Sequence, residues 1–385
     1  MRFADNRNKI GKYIPAVVFL IFIYGMALWF IFSPKPDYSS SEKRYLQKFP
    51  EVTAEKLLSG DFGSEFETFF ADRFPQRNTW VGLNAYTALA EGNNGASGVY
   101  NCKNGYLINK PVSTENNLDK NIGAVADFAK SIDTPTTVML VPSTGYIVDD
   151  VLPTFHDKYN DDEDISKISS TLSKDKIGFV DLRERFKSEY KNGSQLYYKT
   201  DHHWTTKGAY TGYQELCKAL GITPIDDSTL KKVSYPDFYG TTYSSSGFWL
   251  TPPDNIEIWN NPKNSDRNIS VKITEGANIK TSGSMYFTDH LKEDDKYPVF
   301  IDGNHALTEI TNTNAKNGTI LLIKDSFSHS LAPFLAENYS KVVLVDLRYY
   351  KESVSDLVTT YNPEQVVVLY GIDNLATDTD IVWLK

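Results

Sequence analysis

Two short segments of this 385-residue chain hold residue types that can do chemistry together. The first is Tyr197-Tyr198-Lys199-Thr200-Asp201-His202-His203-Trp204-Thr205. Only six histidines occur in the sequence, and two stand here side by side next to an aspartate. A carboxylate two residues before an imidazole can accept from Nδ1–H, fix the tautomer and stabilise the protonated ring, which leaves Nε2 as a general base. The second segment is Leu321-Leu322-Ile323-Lys324-Asp325-Ser326-Phe327-Ser328-His329-Ser330. Here an apolar strand ends, Asp325-Ser326 form the turn, and a helix begins. A serine at that place exposes its Oγ near a helix N-terminus, which favours a developing anion. It needs a base within hydrogen-bond reach to act as a nucleophile, and the first segment can supply one.

Both segments have plainer readings. Asp201, His202 and His203 are metal-ligand types. Adjacent residues of an extended segment point to opposite faces, however, so the expectation is that no metal is bound here. Asp325-Ser326 also suits a helix N-cap pair. The co-occurrence of the two segments with the strand pattern around them favours the catalytic reading.

The elements that must position these side chains show in the hydrophobic pattern. Thr136 to Pro142, Lys176 to Asp181, Ile320 to Ile323, Val342 to Val345 and Val366 to Tyr370 are short apolar runs, and the last three are near-continuous Val/Ile/Leu. Such runs mark strands buried on both faces. Helical stretches alternate with them at Lys207 to Leu220, Ser328 to Ala336 and Lys351 to Thr360. Another helix carries Leu118, Ile122, Val125 and Phe128 on one face, with Ser113 or Thr114 as its N-cap. Alternating β and α units with buried strands predict an α/β fold: a parallel sheet flanked by helices. Sites in such sheets lie at the carboxyl ends of strands, where Ser326 falls. A β-hairpin is expected around Cys102-Lys103-Asn104. Between about 235 and 304 the rhythm breaks into an insertion of loops and short strands beside the sheet.

Composition narrows the function. Hydrophobic residues make up 41% of the chain and aromatics 13%, enough to fill a core. Net charge is −9 and the pI is about 5.3, which argues against nucleic acid as a partner. Two cysteines exclude a disulfide scaffold, and whether Cys102 and Cys217 pair stays open. A mean hydropathy of −0.39 excludes a multi-span membrane protein. It does not exclude a single span, and Tyr13 to Phe32 is an uncharged apolar run long enough for one crossing. Arg2, Arg7, Lys9 and Lys12 precede it, so the N-terminus is expected in the cytoplasm and the rest outside. The expected layout is a cytoplasmic tail over 1–12, a membrane anchor over 13–32, a linker and helical neck over 33–97, and a catalytic domain over 98–385. Ser33 to Ser41 is read as an extended spacer. Outside the cell there is no pool of ATP, NAD or acetyl-CoA. The reactions left are hydrolysis and group transfer from a delivered donor.

Asp201-His202-His203-Trp204 is the motif of the DHHW family, and the chain resembles that family over most of its exported part. Phe74-Pro75-Gln76-Arg77, Gly98-Val99-Tyr100, Gly240-Thr241-Thr242-Tyr243-Ser244, Gly303-Asn304-His305, Lys324-Asp325-Ser326-Phe327 and Asp346-Leu347-Arg348-Tyr349-Tyr350 stand in the family's order. The family is similar to the AlgJ and AlgX type of alginate O-acetyltransferase, with a circularly permuted SGNH-hydrolase-like domain. The resemblance implies Ser326 as nucleophile, His203 as base and Asp201 as its orienting partner. Lys324 stands where the related motif has glycine. Oxyanion donors are expected from Ser326 N–H and either Asn374 or Gly303-Asn304, though either pair also suits a turn. Tyr243, Trp249, Arg348 and His202 are expected substrate contacts, while Arg348 also has a buried carboxylate, Asp346, within sequence reach.

The function the resemblance implies is extracytoplasmic O-acetyl transfer to an exopolysaccharide or cell-surface glycan. No resident cofactor is expected. The acetyl group would come from a polytopic membrane-bound O-acyltransferase. A carbohydrate acetylesterase with the same three residues, and a non-catalytic glycan-binding subunit, are the competing readings.

Overall fold

The computed structural model describes residues 2–112 and 117–384. The chain forms two compact units, Met1–Thr87 and Ala88–Lys385.

The first unit begins with a helix over Arg2–Phe32, whose 21-residue part Lys12–Phe32 is long and apolar enough to cross a membrane. The segment after it is not the extended spacer expected from its prolines and serines. Tyr38–Ser39 pairs antiparallel with Arg44–Tyr45. The buried Arg73 guanidinium, which donates to Pro36 O, Asp37 and Gln47 O, draws the chain back on itself. Helices Ala54–Ser59, Asp61–Asp72 and Arg77–Ala90 follow, in the stretch expected to be helical. The Phe49 ring meets Phe62, Phe66 and Phe69 edge-on, and these rings form one apolar seam.

The second unit opens with a three-stranded sheet, Gly95–Ala96, Val99–Asn101 and Leu107–Asn109, built on the expected hairpin. The central sheet has eight strands: β1 Thr136–Val141, β2 Gly178–Asp181, β3 Ile269–Glu275, β4 Asn278–Ser282, β5 Leu307–Asn312, β6 Asn317–Lys324, β7 Tyr339–Val345 and β8 Gln365–Gly371. Their spatial order is β4-β3-β5-β7-β6-β8-β1-β2. The pairings from β7 through β6, β8 and β1 to β2 are parallel. The pairings that join β4, β3, β5 and β7 are antiparallel.

The expected parallel sheet is therefore correct for five strands and incomplete for three. Part of the presumed insertion, β3 and β4, joins the same sheet as an antiparallel wing. Its polar residues hid it: along β3, Ile269, Val271 and Ile273 are buried while the residues between them are not, a half-exposed alternation unlike the solid apolar run of β6.

Alternation also divides the core. Ile320 and Leu322 of β6 face one cluster with Trp204, Tyr213 and Phe334, whereas Leu321 and Ile323 face another with Ile122, Val125 and Leu357. Helix Thr206–Leu220 and helix Ser328–Leu335 pack together over the first face. Leu118–Ser131 and Val354–Tyr361 contribute to the second. The N-cap expected at Ser113 or Thr114 lies outside the described residues. Cys102 and Cys217 are both buried free thiols.

Because the five central strands run the same way, their carboxyl ends share one edge. Ser326 follows β6, Ser143 follows β1, Asp346 follows β7, and Gly371 ends β8. These loops, and the Asp201 segment packed against them, make the site.

Candidate active site

Residues 197–204 close on themselves before the helix begins. Tyr197 and Trp204 form an antiparallel bridge, Tyr198 N–H donates to His203 O, and Thr205 caps helix Thr206–Leu220 by accepting from Gly208 N–H at 3.1 Å. A single buried carboxylate holds the loop from below. Asp254 accepts from Lys199 N–H, Thr200 N–H, the Thr200 hydroxyl and the Gln195 amide. Trp204 ties the loop to the serine turn, its Nε1–H donating to Phe327 O and Ser330 Oγ at 2.9 Å each.

The buried Asp201 carboxylate has all its acceptor capacity used. Oδ1 accepts from His203 N–H at 2.9 Å and His203 Nδ1–H at 2.5 Å, and Oδ2 accepts from Thr241 N–H at 2.7 Å and the Thr241 hydroxyl at 3.0 Å. Burial opposes its charge, but His203, His202 and these hydrogen bonds hold the carboxyl well below its usual range. An ionised carboxylate only accepts, so His203 carries its proton on Nδ1 and presents the Nε2 lone pair outward. Ser326 Oγ lies 2.7 Å from that Nε2 and donates to it. The imidazole plane is fixed by Tyr297, which stacks on it at 3.9 Å and 9° and whose hydroxyl donates to Ser326 O. Gly240 permits the approach of the Thr241 loop, since a Cβ there would lie 2.1 Å from Asp201 Cβ.

The serine turn is clamped by Asp325. Its Oδ1 accepts from Phe327 N–H, and its Oδ2 accepts from Gly371 N–H and Asn374 Nδ2, each at 2.7 Å. Asp325 thus does the turn-capping work foreseen for it and also ties β6 to the end of β8. Ser326 N–H has no hydrogen-bond partner among the described residues. Asn374 spends one amide hydrogen on Asp325 and has a second to give.

On the other side of the turn stands Lys324, the residue in place of glycine. Its buried Nζ donates to Asp346 Oδ2 and His329 Nε2, each at 2.8 Å. Arg348 clasps Asp346 through Nε and Nη2 at 2.9 and 2.7 Å, and Nη2 also donates to Asn304 Oδ1. Burial, then the Lys324 ammonium, pushes His329 well below its usual pKa. Its Nδ1 is buried with no partner among the described residues.

The expected residues thus separate. Asp201, His203 and Ser326 meet in one line of hydrogen bonds. Asn374 sits beside Asp325. Gly303, with φ of 86°, and Asn304 form a turn whose side chain faces Arg348. Arg348 takes the buried carboxylate rather than standing free. Tyr243 turns to Tyr239 and Trp249, at ring distances of 4.4 and 5.2 Å. His202 departs from the opposite-faces expectation, because the segment bends there and its ring lies 3.8 Å from that of His203. The Thr241 hydroxyl donates its hydrogen to Asp201, so His202 Nδ1–H donates to Thr241 Oγ1 at 2.7 Å. A cation held by Asp201, His202 and His203, whose ligand atoms lie within 4.8 Å, would have to displace these bonds.

A cleft of about 60 Å³ adjoins the serine turn, lined by Asn109, Ser143, His202, Thr242, Asp373 and Asn374, with Phe327 in its wall. Sequence reasoning missed Asp254, Tyr297, Thr241 and Asp373 as site residues. Thr241 had a local signal, a glycine and hydroxyl opening a helix, and Asp373 stands next to the expected Asn374; Asp254 and Tyr297 reach the site from a distant strand and a 3-10 turn.

Residues 112–345 match the DHHW protein family. A DHHW family protein from Eubacterium siraeum shares the fold with a TM-score of 0.63 at 17% identity, over 75% of this chain and 95% of that one. Bacillus cereus PatB1 with a sulfonyl adduct aligns with a TM-score of 0.61 at 20% identity, over 74% and 97%. The O-acetyltransferase domain of Pseudomonas putida AlgJ aligns with a TM-score of 0.48 at 14% identity, over 75% and 95%. No curated protein matches the sequence. The matched region is more than half of the chain and contains both the Asp201-His202-His203-Trp204 segment and Ser326: the chain belongs to the DHHW protein family.

Proposed function

We propose that this protein is a membrane-anchored, extracytoplasmic O-acetyltransferase that acetylates a polysaccharide through Ser326. The observation that carries the reading is the 2.7 Å contact between Ser326 Oγ and His203 Nε2, with Asp201 behind the imidazole. Ser326 Oγ attacks the carbonyl carbon of an acetyl donor as its proton passes to His203 Nε2. The oxyanion is met by Ser326 N–H and the second amide hydrogen of Asn374. Collapse breaks the bond to the donor oxygen, which leaves with the His203 proton, and acetyl-Ser326 remains. A sugar hydroxyl then gives its proton to His203 and attacks the acetyl group, and Ser326 leaves and recovers that proton. Asp201 keeps the ring oriented and offsets its positive charge in both halves.

The donor side rests on the membrane helix. With Lys12–Phe32 across the bilayer and the basic end inside, the site is held near a polytopic O-acyltransferase that passes the acetyl group outward. Water in place of the sugar would make the same site an acetylesterase.

The test is to incubate the full-length protein in detergent with an aryl acetate, with and without oligosaccharide. Acetylated oligosaccharide in the wild type and none in Ser326→Ala supports transfer. Acetate release unaffected by any oligosaccharide supports the esterase reading. Unchanged glycan acetylation in cells exporting Ser326→Ala overturns catalysis by this serine.

A further inference from the structure

The cleft beside the serine turn is acidic and has no cation in its wall. Among the described residues that line it there is no lysine or arginine, and its charged groups are Asp201, already committed to His203 and Thr241, and Asp373. Asp373 Oδ1 accepts from the Ser143 hydroxyl at 3.2 Å, while Oδ2 has no donor among the described residues. A second carboxylate lies just behind. Asp161, buried, accepts from Ser143 N–H at 2.7 Å. Burial lifts the Asp373 carboxyl to about 6. Burial, with Asp373 nearby, lifts Asp161 to about 7. Neither has a basic partner among the described residues, in contrast to Asp346. A further group in the wall has unspent hydrogen-bonding capacity: Thr242, 2% exposed, has an Oγ1 with no partner among the described residues. A buried hydroxyl left unpaired is costly unless a ligand or water meets it.

The cleft has room for several water molecules or the edge of one sugar ring. A sugar hydroxyl can donate to Asp373 Oδ2 and exchange a hydrogen bond with Thr242. A uronate carboxylate in the same place would face Asp373 with no counter-charge, so binding it would require two like charges side by side or the uptake of a proton.

We propose that this cleft is the acceptor subsite, that Asp373 and Thr242 recognise the hydroxyls of an uncharged sugar there, and that the site rejects uronic acids. The proposal rests on the acetyl-transfer reading for its meaning but is tested by binding alone. Full-length protein carrying Ser326→Ala is titrated in detergent with β-1,4-mannotetraose and with β-1,4-tetramannuronate, which differ only at C6. Mannotetraose should bind more tightly by about tenfold or more. Asp373→Asn in the same background should close that gap to below about threefold, and Thr242→Val should weaken mannotetraose by about threefold without admitting the uronate. Equal or tighter binding of the uronate overturns the proposal. So does a gap that survives Asp373→Asn, or binding of neither tetrasaccharide at millimolar concentration. Failure of the acetyl-transfer reading shows separately, as an absence of acetyl on Ser326 when wild-type protein meets an acetyl donor.

Discussion

Two buried charge clusters meet at the turn that carries Ser326, and each holds a histidine. In one, His203 has a carboxylate on Nδ1 and a hydroxyl on Nε2. In the other, His329 has an ammonium on Nε2 and nothing on Nδ1 among the described residues. The first places a carboxylate behind the ring and a hydroxyl before it, the arrangement that the proposed general base requires. The second keeps the ring neutral and its lone pair occupied. Burial is similar, His203 being 4% exposed and His329 1%. What distinguishes the two rings is the sign of the nearest charge: the Asp201 carboxylate beside His203, the Lys324 ammonium beside His329.

Breaking the first cluster should have the largest effect. His203→Gln should lower ester cleavage by about 10³–10⁴-fold, whereas His329→Gln, which still offers Lys324 an acceptor, should stay within about tenfold of wild type in the same steady-state assay. Comparable losses in both would erase the distinction. Breaking the second cluster should read out in stability. Lys324→Met leaves Asp346 with Arg348 as its sole cation and should cost about 3 kcal/mol in a denaturant titration. A loss below about 0.5 kcal/mol would mean that the lysine contributes little to holding the turn.

A further buried carboxylate, Asp161, sharpens the contrast because no cation pairs with it among the described residues. Asp161 has a folded-state pKa of about 7, above the unfolded value near 3.9, so the native state holds that proton more tightly. The stability this supplies is present in full below about pH 4 and is lost as pH rises through about 7. Asp161→Asn should therefore gain roughly 1–3 kcal/mol over wild type at pH 8 and almost nothing below pH 4, measured as paired unfolding curves. A difference that does not change with pH would mean that the carboxyl ionises normally.

The parts of this arrangement written locally in the chain could be read from it. β6 and β8 are solid apolar runs, the Asp201–His203 spacing sets an imidazole tautomer, and Ser326 sits at a strand-to-helix turn. What could not be read depends on chain segments far apart. Tyr297 stacks on His203 from a short 3-10 helix nearly a hundred residues away, and Asp254 holds Lys199 and Thr200 from the start of another strand. The antiparallel wing was obscured because β3 is half exposed, so its polar residues masked an alternating strand. Lys324 was visible as a departure from glycine, but its partner Asp346 is joined to it only by the packing of β6 against β7, while His329 returns to it from the first turn of the following helix.

The central claim is that Ser326 is the nucleophile and His203 its base. The most direct test is peptide mapping by mass spectrometry after full-length protein reacts with a sulfonyl fluoride or an aryl acetate. The expected result is a single modified serine, Ser326, in the wild type, and loss of that label in His203→Gln. A label on another residue, or one on Ser326 that forms equally fast without His203, would contradict it.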